Sequence, residues 1–494
     1  MKAINRISIL LGTMLLASCG LRQSAMPTHV PGTPTPLTPP SPVVPTDTPV
    51  PSSTPTIPQI PLAAKGPWGI VQTDQGIWVF NPDGGGVRAL TWGSSLAISP
   101  SGGKVAYLSD TNHDNPALEK VSLRLLSLPD GASETLTDVL PPLSSWVVPT
   151  PGGALSIPTP DLEFAWGQAY SAVGSMDWSP DGGRLAFTSG QDGLYTNVYV
   201  YDLKTGKITR MTDRPHYEYG VKWSPTGEYL FFSEAESFGG GGITGGGAWV
   251  IRADRPLAPP VWGIPGSHTT PAFDLYAWTS PDSLLLESYS QPCGIEALSA
   301  VDVAQGTMPT LWQAAEWGDC IESVIRNPSG GDFLLNQILL NSDELHLALL
   351  GPDGAKLKDV NSGDLRTFLL QGDYPDRLSL AGSTAAVPVS PPGAFLPIQS
   401  PDGVQWAWLP WPISWLHTVG EGLWIGKAGQ VPRLVYPSRV DSFSWSPDGK
   451  TVFFCAGGSV YVASRPDFNP EAMNAIQESP LYAPYRVEVN WVFP

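Results

Sequence analysis

Trp178-Ser179-Pro180-Asp181-Gly182, continued by Gly183-Arg184-Leu185-Ala186-Phe187-Thr188-Ser189, is a passage that the chain repeats. It returns as Trp445-Ser446-Pro447-Asp448-Gly449-Lys450-Thr451-Val452-Phe453-Phe454 and as Trp223-Ser224-Pro225-Thr226-Gly227-Glu228-Tyr229-Leu230-Phe231-Phe232. Looser copies stand at Ile98–Gly102, Thr279–Ser283, Asn327–Gly330 and Gln399–Gly403. A passage that recurs is a unit of structure and is read before any single element. Ser-Pro-Asp-Gly is turn chemistry: Pro presets φ at the second position and Gly accepts the positive φ that closes the turn. A short apolar piece ending in Trp precedes it, and an aromatic and β-branched run follows. Each copy therefore reads as strand, tight turn, strand.

A second piece recurs downstream, with period-two alternation and a turn at its end, as in Asn197-Val198-Tyr199-Val200-Tyr201-Asp202-Leu203-Lys204-Thr205-Gly206. Copies stand at Gly76–Gly84, Leu123–Gly131, Asn197–Gly206, Ala248–Arg255, Ala297–Gly306, Leu345–Gly354, Gly422–Gly429 and Ser459–Asp467. The first of these has no turn motif before it. Its missing first strand is expected at the other end of the chain, where Val487-Glu488-Val489-Asn490-Trp491 reads like Val440–Trp445. The turn prolines mostly recur at the roughly 40–50 residues of a four-stranded propeller blade. Two intervals are longer, Pro100 to Pro180 and Pro328 to Pro401. The first holds a Pro-rich insertion, Pro141 to Pro160. The second holds a long loop around Ala381–Pro397, or an alternative turn at Val389–Gly393. The expected fold is all-β: a single β-propeller over 66–494, with eight four-stranded blades (seven the alternative), closed by pairing of its N- and C-terminal strands. Helical periodicity is nearly absent, and Asn469–Gln477 is the one stretch with the makings of a short helix.

The chain begins with a different chemistry. Lys2 and Arg6 precede an apolar run from Ile7 to Ala17, too short to span a bilayer as a mature helix and of the length of a signal core. The run ends in Leu16-Ala17-Ser18-Cys19, which resembles the bacterial lipobox. That resemblance implies a signal peptide over 1–19, lipidation of Cys19, and a membrane anchor outside the cytoplasm. Residues 20–65 are Pro-, Thr- and Ser-rich with almost no charge, which predicts a disordered, extended tether.

With 27 Lys plus Arg against 45 Asp plus Glu, the chain carries a net charge of −18. Nucleic acid and anionic lipid surfaces attract basic proteins, so neither is expected as a direct partner. Of the four cysteines, Cys19 is assigned to lipid. Cys293 and Cys320 flank one third-strand copy and form a candidate disulfide outside the cell. Cys455 follows Phe453-Phe454 and reads as a small buried residue.

Signatures of catalysis do not emerge. Gly-x-Ser-x-Gly, His-Glu-x-x-His and the Walker loop are all missing, and the six His are scattered. No catalytic residue, metal ligand or cofactor is expected. The run Gly239–Gly247 lacks the Lys and helix of a phosphate cradle and reads as a flexible loop between Phe232 and Trp249. Asp110, Asn112 and Asp114 have calcium-loop spacing, but Asn115 stands where Gly is needed and Val121 where Glu is needed. Trp406 and Trp408 share a strand face and read as packing between blades. Trp411 and Trp415 fall in a loop and form a candidate platform for a sugar or peptide.

The Trp-Ser-Pro-Asp-Gly unit, with Val198-Tyr199-Val200-Tyr201-Asp202-Leu203 after it, resembles the TolB-like propeller repeat, which also occurs in the propeller of prolyl-oligopeptidase-type peptidases. The resemblance is good over 173–235 and 440–465, and Gly69–Thr91 fits the repeat's second to fourth strands. It implies a periplasmic or surface scaffold that binds proteins through its channel mouth and loops. The peptidase branch needs a hydrolase domain for which this chain has neither room nor motif. Ser179-x-Asp181-Gly182-Gly183 is similar to the sialidase Asp box, but Ala186 and Phe187 stand where that motif has Thr-Trp. The expected role is therefore a monomeric, non-enzymatic, lipid-anchored scaffold for an envelope protein or peptide, with a carbohydrate-binding or carbohydrate-active propeller as the alternative.

Overall fold

Buried turn serines hold the repeat together. In the copy at 179–182 the Gly182 N–H donates to the Ser179 carbonyl at 2.8 Å, and the Arg184 N–H donates to Ser179 Oγ at 2.9 Å. The Ser179 hydroxyl donates in turn to Asp181 Oδ1 at 2.5 Å. The same bonds recur at 446–449, where Ser446 Oγ accepts from the Thr451 N–H at 3.0 Å and donates to Asp448 Oδ1 at 2.7 Å. The closing residue needs positive φ, +67° at Gly182 and +70° at Gly449, which is why Gly stands there.

The computed structural model describes residues 61–73, 76–109, 120–145, 159–239, 242–267, 271–290, 294–314, 320–326, 333–338, 346–351, 356–360, 394–410, 422–427, 430, 432–477 and 489–493, all within the unit Pro58–Pro494. Their strands fall into antiparallel quartets. β1 (Trp68–Thr73), β2 (Gly76–Phe80) and β3 (Arg88–Thr91) form the first, completed by a strand from the far end of the chain. β4 (Ser94–Ile98), β5 (Lys104–Ser109), β6 (Val121–Ser127) and β7 (Ser133–Leu140) form the second. A helix, α1 (Thr159–Ala172), leads to the third: β8 (Met176–Trp178), β9 (Arg184–Ser189), β10 (Asn197–Asp202) and β11 (Lys207–Arg210). The fourth is β12 (Tyr217–Trp223), β13 (Tyr229–Ala235), β16 (Gly247–Arg252) and β17 (Trp262–Ile264), with the hairpin β14 (Ser237–Gly239) and β15 (Gly242–Thr244) between its second and third strands.

Next come β18 (Ala272–Ser280), β19 (Ser283–Ser290), β20 (Gly294–Asp302) and β21 (Thr310–Gln313). They are followed by β22 (Cys320–Arg326), β23 (Phe333–Ile338), β24 (His346–Leu350) and β25 (Lys356–Val360). These two quartets are joined into one sheet by the pair Ile295↔Ile321. The last two are β26 (Ala394–Gln399), β27 (Trp406–Pro410), β28 (Leu423–Gly426), β29 (Arg433–Tyr436) and β30 (Ser442–Trp445), β31 (Thr451–Ala456), β32 (Ser459–Ser464), β33 (Asn469–Gln477). Finally β34 (Val489–Val492) pairs antiparallel with β1, Trp68↔Val492 through Val71↔Val489. Each of the eight recurring third-strand pieces is the third strand of a quartet.

The quartets pack face on face, which makes the fold a β-propeller. Val105, Tyr107 and Leu126 pack against Ile70, Ile77 and Val79 of the first blade. Leu185, Phe187 and Tyr199 pack against Leu108, Leu123 and Val139 of the second. Similar clusters join the third to the fourth and the fourth to the fifth. Leu350 reaches the fifth from the sixth, Val452 and Phe454 meet Ala407 and Ile425, and Phe453 and Val460 meet Val71 and Phe80. Second strands are buried on both faces, as in β9 and β31, while fourth strands such as β3 and β11 are half exposed. That explains why the second strand reads as a continuous apolar run.

Antiparallel order gives the blades two distinct ends. The turn face carries the first-to-second and third-to-fourth turns. The loop face carries the second-to-third loops and the links between blades. Turns of neighbouring blades touch: a Cβ on Gly182 would lie 2.6 Å from the Ser101 side chain, and Arg184 donates to the Gly227 carbonyl at 3.2 Å. Residues 61–63 are held on the turn face. The Ala63 N–H donates to Asn81 Oδ1 at 2.8 Å, and Asn81 Nδ2 donates to the Pro61 carbonyl at 3.0 Å.

Three expectations are corrected. Asn469–Gln477 is not a helix but the outermost strand β33, paired Ser464↔Asn469 and Ala463↔Pro470. An edge strand tolerates Pro470 because the missing N–H costs no ladder bond there. Helix is scarce, but one helix stands where none was expected, since α1 runs for 14 residues from the end of the Pro-rich insertion. Its Trp166, Ala169 and Ala172 are buried in the core shared by the second and third blades. The Gly239–Gly247 run is not simply a loop, because β14 and β15 pair through Ser237↔Thr244 and Gly239↔Gly242.

Candidate functional site at the loop face

The loop-face ends of the third, fourth and fifth blades bring together residues far apart in sequence. β12 opens with Tyr217, Glu218 and Tyr219, then bulges between Tyr219 and Lys222. Tyr217 meets Tyr195 edge-on at 5.2 Å, from the loop of the third blade. Phe238, in the hairpin, lies 6.2 Å from Tyr217 and 5.5 Å from Tyr219. Gln168 of α1 holds that hairpin in place. Its Nε2 donates to the Phe238 carbonyl at 2.8 Å, and its Oε1 accepts the Phe238 N–H. The aromatic run thus extends from Tyr195, which is 37% exposed, down to Tyr219 on an innermost strand.

Carboxylates lie beside this run. Glu218 is fully buried, accepting from the Val198 N–H at 2.8 Å and from the Thr212 hydroxyl. Burial pushes its carboxyl up to about 8, with those two donors opposing the shift. Glu234 is also buried, but it accepts from Arg214 Nε at 2.6 Å and pairs with His216 Nδ1 at 2.5 Å. The same guanidinium sits 3.6 Å above the Trp249 ring. Asp177, on β8, is raised by burial but has Lys222 Nζ at 3.6 Å and the Trp223 N–H at 2.8 Å.

Asp274 and Glu287 differ from these. They oppose each other across β18 and β19. Burial, and then the neighbouring Glu287 charge, push Asp274 up to about 6. Burial also raises Glu287, partly offset by the Tyr289 hydroxyl donating at 2.7 Å. Among the described residues, no cation lies against either carboxylate. The blade in front brings β12 close: a Cβ on Gly220 would be 3.9 Å from Asp274 Oδ1. The arrangement sets half-buried Tyr219 and Phe238, over buried Tyr217, beside two carboxylates with no counter-charge among the described residues.

Of the residues singled out in the sequence, Cys19, Cys293, Trp411 and Trp415 lie outside the described residues, as do Asp110, Asn112 and Asp114. Cys320 is the first residue of β22. Trp406 and Trp408 are buried on β27, as expected of packing, and Cys455 is buried beside Val71 and Val489. Among the described residues no group of three or more His, Cys, Asp or Glu side chains is placed to hold a metal. Among them, too, no helix is long and apolar enough to cross a membrane. Sequence reasoning missed Tyr195, Tyr217, Tyr219, Phe238, Asp274 and Glu287. A signal existed in Tyr217-Glu218-Tyr219, which heads a first strand where the third blade has Ser175-Met176.

No protein-family model matches the chain. An uncharacterised protein of Agrobacterium fabrum is 23% identical over 255 residues, covering 50% of this chain and 77% of that protein. The uncharacterised peptidase YuxL of Bacillus subtilis is 41% identical over 56 residues, 11% of this chain and 8% of the peptidase. The crystal structure of TolB from Acinetobacter baumannii is similar with a TM-score of 0.31 at 15% identity, covering 60% of this chain and 63% of that one. The match therefore spans less than two thirds of TolB and a small part of the peptidase. The propeller assignment rests on the strand order and packing of this chain itself.

Proposed function

We propose that the protein is a non-enzymatic, extracytoplasmic β-propeller, anchored by lipid on Cys19, that binds a protein or peptide of the cell envelope through its loop face. In this reading the eight quartets close into one ring through the β1–β34 pairing, and residues 20–65 act as the tether. The observation that carries the reading is a division between the two ends. Residues 61–63 are held on the turn face, while Tyr195 and the exposed Phe164 and Tyr170 of α1 stand on the loop face. Residues 61–63 therefore lie at the opposite end of the blades from these aromatic side chains. Exposed aromatic area of this kind marks interaction sites.

Two variants test the reading. Phe164→Ala with Tyr195→Ala removes exposed side chains only, so folding is expected to be unchanged. Cross-linking from the full chain in native envelopes is expected to yield a defined partner that the double variant loses. The same products from both proteins would refute it. Radiolabelled fatty acid is expected to enter the wild type but not Cys19→Ser. The chain is read as a monomer, with Cys293 and Cys320 as a candidate disulfide and no role for nucleic acid.

A second reading is a glycan-binding or glycan-active propeller using Trp411 and Trp415. It is favoured by half-buried Asp274 and buried Glu287, a carboxylate pair of the kind that handles sugars. Binding on a broad glycan array that Trp411→Ala with Trp415→Ala abolishes would establish it in place of the first.

A further inference from the structure

The charge pattern at the loop face narrows the partner, provided the protein-binding reading holds. We propose that the mouth between β12 and β18 receives an arginine or lysine side chain from a partner polypeptide, with Asp274 facing the cation and half-buried Phe238 and exposed Tyr195 receiving the apolar residues beside it.

Charge complementarity carries this choice. Among the described residues the fixed cations of this region are already engaged, Arg214 by Glu234 and Lys222 by Asp177. Asp274 and Glu287 have no such counter-charge among the described residues, although they face each other across a strand pair. Two adjacent carboxylates in a partly desolvated place are unfavourable without a cation, and the deficit is relieved when a guanidinium or ammonium arrives. Asp274 is partly exposed and so reachable, while Glu287 is buried behind it and held by Tyr289.

The groups around the pair fit a side chain on a polypeptide. The Tyr219 hydroxyl is buried beside Ser233 without a hydrogen bond of normal geometry, and Asp274 lies within electrostatic reach of it. A donor from a guanidinium would give that oxygen a partner. Phe238, at 5.5 Å from Tyr219, continues the wall outward to Tyr195, with buried Tyr217 in ring contact with both. An extended peptide can place one cationic residue at the bottom and apolar neighbours along such a wall. The net charge of −18 attracts basic segments from a distance.

The test uses the full chain and two fluorescein-labelled decapeptide libraries, random except for a central arginine in one and a central citrulline in the other. Citrulline keeps the shape and removes the charge. Retention of the arginine library is expected to exceed that of the citrulline library by about tenfold, the size of one charge-assisted contact. The preference is expected to vanish in Asp274→Asn and to fall in Glu287→Gln, with thermal melting no lower than in the wild type. The second variant keeps the test alive if the first fails to fold. Equal retention of both libraries would overturn the inference while leaving the scaffold reading standing. Retention of neither would sink both. Calcium binding that Asp274→Asn abolishes, with no arginine preference, would reassign the carboxylates to a metal and overturn the proposal.

Discussion

Ser446 is fully buried, and its hydroxyl accepts from the Thr451 N–H and donates to Asp448. Ser446→Ala leaves a buried donor unsatisfied, so a loss of about 1–3 kcal/mol is expected from urea unfolding midpoints. Glu218 makes a prediction about pH. Its folded carboxyl is raised to about 8 from an ordinary value of 4.5, so between those values the folded state holds a proton that the unfolded state has lost. The stabilising contribution is full below pH 4.5 and disappears as pH rises toward 8. Glu218→Gln is therefore expected to flatten the decline of melting temperature over that window, and an unchanged slope would contradict the account. Asp402 works in the opposite sense, because hydrogen bonds from Arg465 and Ser400 hold its carboxyl below the usual range, and its contribution fades on acidification. The turn was legible in sequence from its Pro and Gly, whose φ demands are local. The buried Ser was not, because its role depends on a backbone N–H five residues on. The site residues were harder still: a Tyr in a strand is usually core, and only the folded chain sets Phe238 against Gln168.

Elements were legible where period-two patterning and turn chemistry agreed, and illegible where tertiary contacts decided. All eight third-strand pieces alternate in sequence and sit where alternation puts them. α1 was hidden by its surroundings. Leu162, Trp166, Ala169 and Val173 have helical spacing, but the Pro-rich insertion before them reads as loop, and exposed Phe164 and Tyr170 blur the apolar stripe. Asn469–Gln477 shows the reverse, since good helix formers were claimed by the open edge of β32. Because Gln168 ties α1 to the hairpin through both atoms of its amide, Gln168→Ala is expected to speed hydrogen exchange at the Phe238 amide. The core amides of β9 and β13 are expected to keep their protection, and equal loosening of both would show that α1 supports the blades rather than the mouth.

For the molecule as a whole, what matters is that the last strand of the chain completes the first sheet. Val489 and Val492 are buried there, Trp491 donates to Ser444 Oγ at 3.0 Å in the neighbouring blade, and Phe493 accepts from the Gly103 N–H at 2.9 Å. Deleting residues 489–494 removes contacts to three blades at once, so loss of cooperative unfolding, seen as a broadened calorimetric transition, is expected rather than a small shift in midpoint. The most direct test cross-links the two ends. Val71 and Val489 are register partners with Cys455 in the same cluster, so the variant is Val71→Cys with Val489→Cys in a Cys455→Ala background. A closed ring predicts that mild oxidation joins residues 71 and 489 within one chain, identified by mass mapping of the linked peptides. Two thiols that stay reactive in the folded protein, or that link only between molecules, would contradict the ring and the surface argued from it.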